Sequence, residues 1–200
     1  MRRHVVLMAK EPRAGRVKTR LGRDIGMVEA AWWVRHQTAR MIRRLQDPRW
    51  TLVLSVAPDR AVYGRAWPGN LPRLAQGPGD VGVRMARIFR AMPPGPVLIV
   101  GADIPGITPA HLARAFAALG RHDAVIGPAT DGGYWLIGLK RVSAVPAGIF
   151  DCVRWSGPHA RADTLASLRG LRVAQADVLS DVDTAADLAA AFPSATAGLA

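Results

Sequence analysis

Residues 4–21, HVVLMAKEPRAGRVKTRL, decide how the rest of the chain is read. Val5, Val6, Leu7 and Met8 make a short apolar run of the kind that a strand buried on both faces of a sheet requires. The run breaks into a loop that carries Lys10, Arg13, Arg16, Lys18 and Arg20 around one glycine, Gly15. Cations crowded at one strand end repel each other and are costly to desolvate, so the loop calls for an anionic partner rather than a packing role. A solvated basic loop is the plain alternative for any charge run. Phosphate is the anion that fits the backbone: Pro12 fixes the chain and Gly15 frees it, so that main-chain N–H groups can approach while Lys18 and Arg20 reach in from the side. Lys18-Thr19 is not the end of a Walker A motif, because Val17 and Pro12 stand where that motif needs glycine.

Strands and helices alternate outward from this start. Met27 to Leu45 has helical spacing and stops at Asp47-Pro48, Thr51 to Ala57 reads as a second strand, and a short helix ends before Pro68-Gly69. A glycine-rich turn from Ala75 to Gly82 leads into a helix over Val83 to Met92, and Pro96 to Val100 is the strongest strand pattern in the chain. Thr108 and Pro109 open a helix that runs to about Leu119. Asp123 to Pro128 and Tyr134 to Leu139 are strands joined by a turn containing Asp131-Gly132-Gly133, which also suits a hairpin. The region from Arg141 to Arg161 is irregular, Ala160 to Leu168 is a helix, Leu171 to Ala176 a strand, and a last helix follows Asp183-Thr184. The alternation predicts an α/β fold with a Rossmann-like, mixed but mostly parallel sheet and helices on both faces. Residues 1–192 are expected to form one domain and residues 193–200 a frayed tail.

Further places along the chain invite chemistry. Asp103 follows the strongest strand, where open α/β sheets place ligand groups, and it has no capping task because Thr108 performs that. A carboxylate there, with a phosphate-bearing substrate, suits Mg²⁺ or Mn²⁺. Asp183 is a second candidate ligand, its rival role is a helix N-cap at Asp183 or Thr184 with Asp187 in the first turn, and both roles can coexist across Asp181 and Asp183. Gln76, Gly77 and Gly82 allow a flat base to approach, Gln76 offering both donor and acceptor, and Arg84 in a first helical turn opposes the helix dipole unless an anion balances it. Asp131 is a candidate base or acceptor-orienting group. Trp155 is a candidate stacking surface and His159 reads as a surface histidine.

Composition narrows the classes. The formal net charge is +12, unevenly spread: residues 1–50 hold thirteen Lys and Arg against four Asp and Glu, residues 151–200 four against six. That asymmetry places an anionic ligand near the front of the chain. No RNP-like aromatic pair, zinc-finger spacing or basic heptad helix is present, which argues against sequence-specific nucleic-acid binding. The single cysteine, Cys152, excludes an internal disulfide and agrees with a reducing compartment, and no apolar run reaches the length of a membrane span or a signal core, so a cytoplasmic location is expected.

The blocks MAKEPRAGRVKTRL, QGPGDVGVRM, VGADIPGIT, GPATDGGYWLIGL and SDVDTAADL, taken together, resemble the bacterial DUF2064 family over about residues 5–190. That family is provisionally assigned to GT-A-type glycosyltransferases and associated with arsenosugar biosynthesis; it is more distantly similar to phospholactate guanylyltransferase and CMP-KDO synthetase. The resemblance implies a nucleotide-diphospho-sugar transferase-like fold and a metal-dependent transferase using a nucleotide or nucleotide-sugar donor and a small-molecule acceptor. It also implies a phosphate role for Lys18 and Arg20 and a Mg²⁺ or Mn²⁺ role for Asp103 and Asp183. Val81 stands where the family more often has Leu, and the segment SGPHARADTL after Trp155 follows the family pattern less closely. Two reactions fit: sugar transfer from a nucleoside diphosphate sugar, or nucleotidyl transfer to a phosphorylated molecule with release of pyrophosphate. A non-catalytic nucleotide sensor or a nucleic-acid-binding module is the alternative of another class.

Overall fold

The computed structural model describes residues 1–192, and the tail expected at 193–200 lies outside the described residues. Seven strands form one sheet: β1 (His4–Lys10), β2 (Thr51–Ala57), β3 (Arg73–Ala75), β4 (Val97–Gly101), β5 (Ala124–Pro128), β6 (Tyr134–Leu139) and β7 (Val173–Gln175). Their order across the sheet is β3-β2-β1-β4-β6-β5-β7. All pairings are parallel except those of β6, which runs antiparallel between β4 and β5. The Asp131-Gly132-Gly133 turn therefore closes a β5–β6 hairpin, and the β6 half of that hairpin is inserted beside β4.

Among the described residues six α-helices complete the fold: α1 (Thr19–Ile25), α2 (Met27–Leu45), α3 (Val81–Ala91), α4 (Pro109–Ala118), α5 (Ala160–Ser167) and α6 (Ala185–Ala191). The central strands alternate side chains between two cores, as the pleat demands. Leu7, Leu54 and Leu98 meet Met41 of α2 and Leu112 and Phe116 of α4 on one face. Val6, Val53 and Ile99 meet Met85 and Phe89 of α3, with Phe150, on the other. Because both faces are covered, β1 and β4 are continuous apolar runs, which is why they are the most legible strands in the sequence. The chain leaves β1 toward β2 on one side, and β4 lies on the other, so the sheet order reverses between β1 and β4. In an open α/β sheet that reversal opens a crevice at the strands' carboxyl ends.

A third, small cluster joins Leu21 of α1, Ala30 of α2 and Val182, with Leu188 of α6 against it. Asp24 reinforces it by accepting the Ala185 N–H at 3.0 Å. This cluster fastens the last segment of the chain beside the first loop.

Candidate functional site

Two separate turns bring carboxylates to the carboxyl end of β4. Asp103 lies just past the strand, and α4 is capped by Thr108 with Pro109 at its first position, so Asp103 is free of any capping bond. The Asp103 carbonyl accepts the Val182 N–H at 3.2 Å, which lays residues 181–183 alongside it. Val182 is fully buried, and in an extended segment its neighbours point the other way, so Asp181 and Asp183 both face Asp103. Thr184 caps α6 in a reciprocal box with Asp187, whose Oδ2 accepts from Thr184 N and Thr184 Oγ1 at 2.8 Å each. The cap is thus made one residue past Asp183, whose carboxylate remains available. Carboxylate oxygens of Asp103, Asp181 and Asp183 all lie within 4.8 Å of one another.

Lys18 completes the cluster from the β1 loop. Its Nζ donates to Asp103 Oδ2 at 2.7 Å and to Asp183 Oδ1 at 2.5 Å, and its side chain is only 13% exposed. Arg20 adds a longer contact, Nη1 to Asp183 Oδ2 at 3.3 Å. Lys18 reaches inward from a left-handed backbone, φ 41°, at the N-cap of α1, a conformation that non-glycine residues seldom adopt and that functional sites often hold. Burial alone would lower its pKa, but the charges and hydrogen bonds of Asp103 and Asp183 outweigh it and hold the ammonium above its ordinary value. Burial pushes Asp181 up to about 6; the ammonium of Lys18 pulls the other way, and the like charges of Asp183, Asp103 and Asp131 add to the rise.

The cluster opens into a cavity of about 920 Å³ lined by Lys10, Arg16, Lys18 and Arg20 on one side and by Asp131, Tyr134 and Trp155 on the other. The remaining residues singled out in the sequence fall into two groups. Lys10, Lys18, Arg20, Gln76, Asp103, Asp131 and Asp183 all line this cavity. Arg13, Gly15, Gly77, Gly82 and Arg84 are not among its lining residues. Arg13 is held by Glu11, Nε to Oε2 at 2.7 Å. Gly15 has φ +71°, as its turn requires, and stands in open space. Gly77 gives its N–H to Asp59 Oδ1 at 2.9 Å, and Arg84 Nε donates to the Gly79 carbonyl at 2.9 Å. The Gly82 site differs most from expectation: a methyl group there would meet the Trp155 ring at 2.5 Å and Phe150 Cβ at 2.9 Å, so the close approach is made by the protein's own aromatic side chains.

Gln76 is half of what its type offers. Its Nε2 donates to the Ala9 carbonyl at 3.2 Å and the Ser55 carbonyl at 2.9 Å, which ties β1 to β2 and spends both donors. Only Oε1 is left to face the cavity, 3.5 Å from Arg84 Nη1. Asp181 joins the cluster through the Asp-Val-Asp spacing around a buried valine, Arg16 of the cationic loop also lines the cavity, and so does Thr19, which the sequence did not single out.

The donor set suits a hard divalent cation: three carboxylates, no sulfur and no imidazole. Among the described residues no helix is long and apolar enough to cross a membrane.

Comparison with known proteins agrees with this fold. The family described as "Uncharacterized protein conserved in bacteria (DUF2064)" matches residues 38–157. A solved structure from Desulfovibrio desulfuricans G20, provisionally assigned as a nucleotide-diphospho-sugar transferase, is 30% identical, with 99% of this chain and 90% of that chain covered and a TM-score of 0.87. Two more distant structures share the fold. Rv0371c from Mycobacterium tuberculosis H37Rv, solved with manganese, is 18% identical over 97% of this chain and 99% of that one, TM-score 0.57. A CMP:2-keto-3-deoxy-manno-octonic acid synthetase complexed with CTP is 15% identical over 94% and 95%, TM-score 0.54. Comparison with curated proteins gives no match.

Proposed function

The chain belongs to the DUF2064 family, and from that premise we propose that it is a metal-dependent, GT-A-type glycosyltransferase that moves a sugar from a nucleoside diphosphate sugar to a small-molecule acceptor. One observation carries the reading: cations of the β1–α1 loop and the Asp103, Asp181 and Asp183 carboxylates converge on one cavity at the carboxyl ends of β1 and β4. A diphosphate needs both kinds of partner. At an effective dielectric near 20, one cation about 4 Å from a phosphate charge contributes roughly 4 kcal/mol before desolvation, so a single lysine cannot offset a diphosphate, whereas several cations with a divalent ion can.

Asp103 and Asp183, with Asp181, would hold Mg²⁺ or Mn²⁺; the manganese complex of Rv0371c supports that choice. When bound, the ion supplies neutralisation of charge on the departing diphosphate. Lys10, Arg16 and Arg20 bind the phosphates. Lys18 has a double task, because its ammonium draws on the same Asp103 and Asp183 oxygens that a cation would use. A cation held by those carboxylates would free the Lys18 ammonium for the phosphates, and the two binding events would then assist one another. Asp131 holds one oxygen on the Gly133 N–H at 2.8 Å and orients or deprotonates the acceptor with the other.

Nucleotidyl transfer is the second reading, favoured by the number of cations on the β1–α1 loop and by the likeness to the synthetase that holds CTP. Product analysis separates the two: nucleoside diphosphate alone supports sugar transfer, and pyrophosphate from an NTP overturns it. Nucleotide binding that never leads to turnover with any acceptor would instead support a sensor.

A further inference from the structure

The two walls of the cavity differ in kind. All of its cationic lining comes from the stretch between the end of β1 and the first turn of α1. The facing wall carries Asp131, Tyr134, Trp155 and Pro158, and among the described lining residues it offers no cation. Its aromatic part is fixed in place. Trp155 packs edge-on to Tyr134, ring centroids 6.5 Å apart, and tilted against Phe150 at 6.1 Å. Behind it Gly82 leaves no room for even a methyl group. Tyr134 is itself pinned, its hydroxyl accepting from Thr164 Oγ1 at 3.3 Å. A tryptophan held on three sides, half-buried and lining a cavity, presents a ring surface whose ordering cost is already met. The charge on this side is negative: Asp131 has one oxygen without a hydrogen bond among the described residues.

Resting on the reading that the donor phosphates lie against the cationic loop, we propose that the acceptor is an uncharged small molecule with an apolar ring face, seated on Trp155 and Tyr134 with a hydroxyl toward Asp131. A phosphorylated acceptor would bring its charge beside Asp131 on the wall that has no cation. The cavity has room for it: about 920 Å³ stands at the upper end of the range for single ligands, roughly 300–1,000 Å³, and so admits a nucleotide and a second small molecule. In the transfer step the acceptor oxygen bonds to the sugar's anomeric carbon as the bond from that carbon to the diphosphate oxygen breaks. The bonding pair leaves with the nucleoside diphosphate, and the hydroxyl proton passes to Asp131.

The test uses two probes on the full chain: phenyl β-D-glucoside, neutral with an apolar ring, and glucose 6-phosphate. Each is titrated by calorimetry and by saturation-transfer NMR, with and without Mn²⁺ and whichever of UDP, CDP, GDP or ADP binds. The aryl glycoside is expected to bind at least tenfold more tightly than the sugar phosphate. Trp155→Ala and the space-filling Trp155→Leu should each weaken the glycoside about tenfold, roughly 1.4 kcal/mol, and leave nucleotide affinity within about twofold. Tighter binding of glucose 6-phosphate, no binding of the glycoside, or loss of nucleotide rather than glycoside on changing Trp155 each overturns the proposal. Failure of every nucleoside diphosphate to bind with Mn²⁺ strikes the underlying reading instead, and the nucleotide-free titrations still decide the character of the wall.

Discussion

Replacing Lys18 with methionine should tighten, not weaken, the binding of Mn²⁺ to the nucleotide-free protein. The Lys18 ammonium donates to Asp103 Oδ2 at 2.7 Å and Asp183 Oδ1 at 2.5 Å, so a divalent cation reaching those oxygens has to displace it. A hydrogen bond to a charged group is worth about 1.5–3 kcal/mol net. The displaced ammonium recovers part of its two bonds from water and from Arg20's neighbourhood of solvent, so we assign the exchange the worth of one such bond. Lys18→Met removes that competitor, and 1.5–3 kcal/mol corresponds to a dissociation constant roughly ten- to a hundredfold lower. Methionine keeps the length and apolar stem of the side chain in its largely buried course. Electron paramagnetic resonance titration of free Mn²⁺ at pH 7.5 measures the effect directly, with the circular dichroism of the variant as a check on folding. The order should invert when a nucleoside diphosphate is present, because Lys18 then serves the phosphates and its loss weakens the ternary complex. Equal or weaker Mn²⁺ binding by a folded Lys18→Met protein without nucleotide would refute the exchange.

Three more outcomes follow from the same geometry. Asp103→Asn should abolish the part of the thermal shift with nucleoside diphosphate that depends on Mn²⁺ or Mg²⁺; a ligand at about 100 times its dissociation constant adds roughly 2.7 kcal/mol, which a melting scan resolves. Asp181 has a folded pKa raised to about 6, so the folded chain holds its proton more firmly than the unfolded chain does. Stability from this group is therefore full below the unfolded value near 4 and is lost as the pH rises through about 6. Asp181→Asn should raise the metal-free melting temperature at pH 7.5 by about 2–4 °C, some 1 kcal/mol after discounting for solvent screening, and leave it nearly unchanged at pH 4. Gly82→Ala should destabilise the chain by about 1–3 kcal/mol in urea unfolding, since the new methyl group meets the Trp155 ring; an unchanged midpoint would show that the aromatic wall can yield.

The sequence disclosed the parts of this molecule whose physics is local. β1 and β4 are buried on both faces and so read as unbroken apolar runs. The caps at Thr108 and Thr184 were legible because a cap is a matter of one side chain and the next three residues. Two elements were too short to carry a period: α1, seven residues entered from a left-handed lysine without a side-chain cap, and β3, three residues at the sheet edge. The cationic loop announced a phosphate partner through charge alone, but its actual contact to Asp103 and Asp183 spans 85 and 165 residues of sequence, a separation no local pattern reports. The same limit hid the meeting of Gly82 with Trp155, where a glycine expected to admit a ligand admits an indole. The β6 insertion beside β4 was likewise not in the pattern, since a hairpin signal at Asp131-Gly132-Gly133 gives the turn and not the neighbour.

The central claim is that one cavity holds a divalent ion on the carboxylates at the end of β4 while the β1 loop holds the phosphates. Anomalous diffraction from crystals grown with Mn²⁺ and the nucleoside diphosphate that binds most tightly addresses it directly. We predict a manganese peak coordinated by Asp103 and Asp183, with the Lys18 ammonium moved onto the diphosphate. A manganese peak elsewhere, or Lys18 still bonded to both carboxylates beside a bound nucleotide, would contradict it.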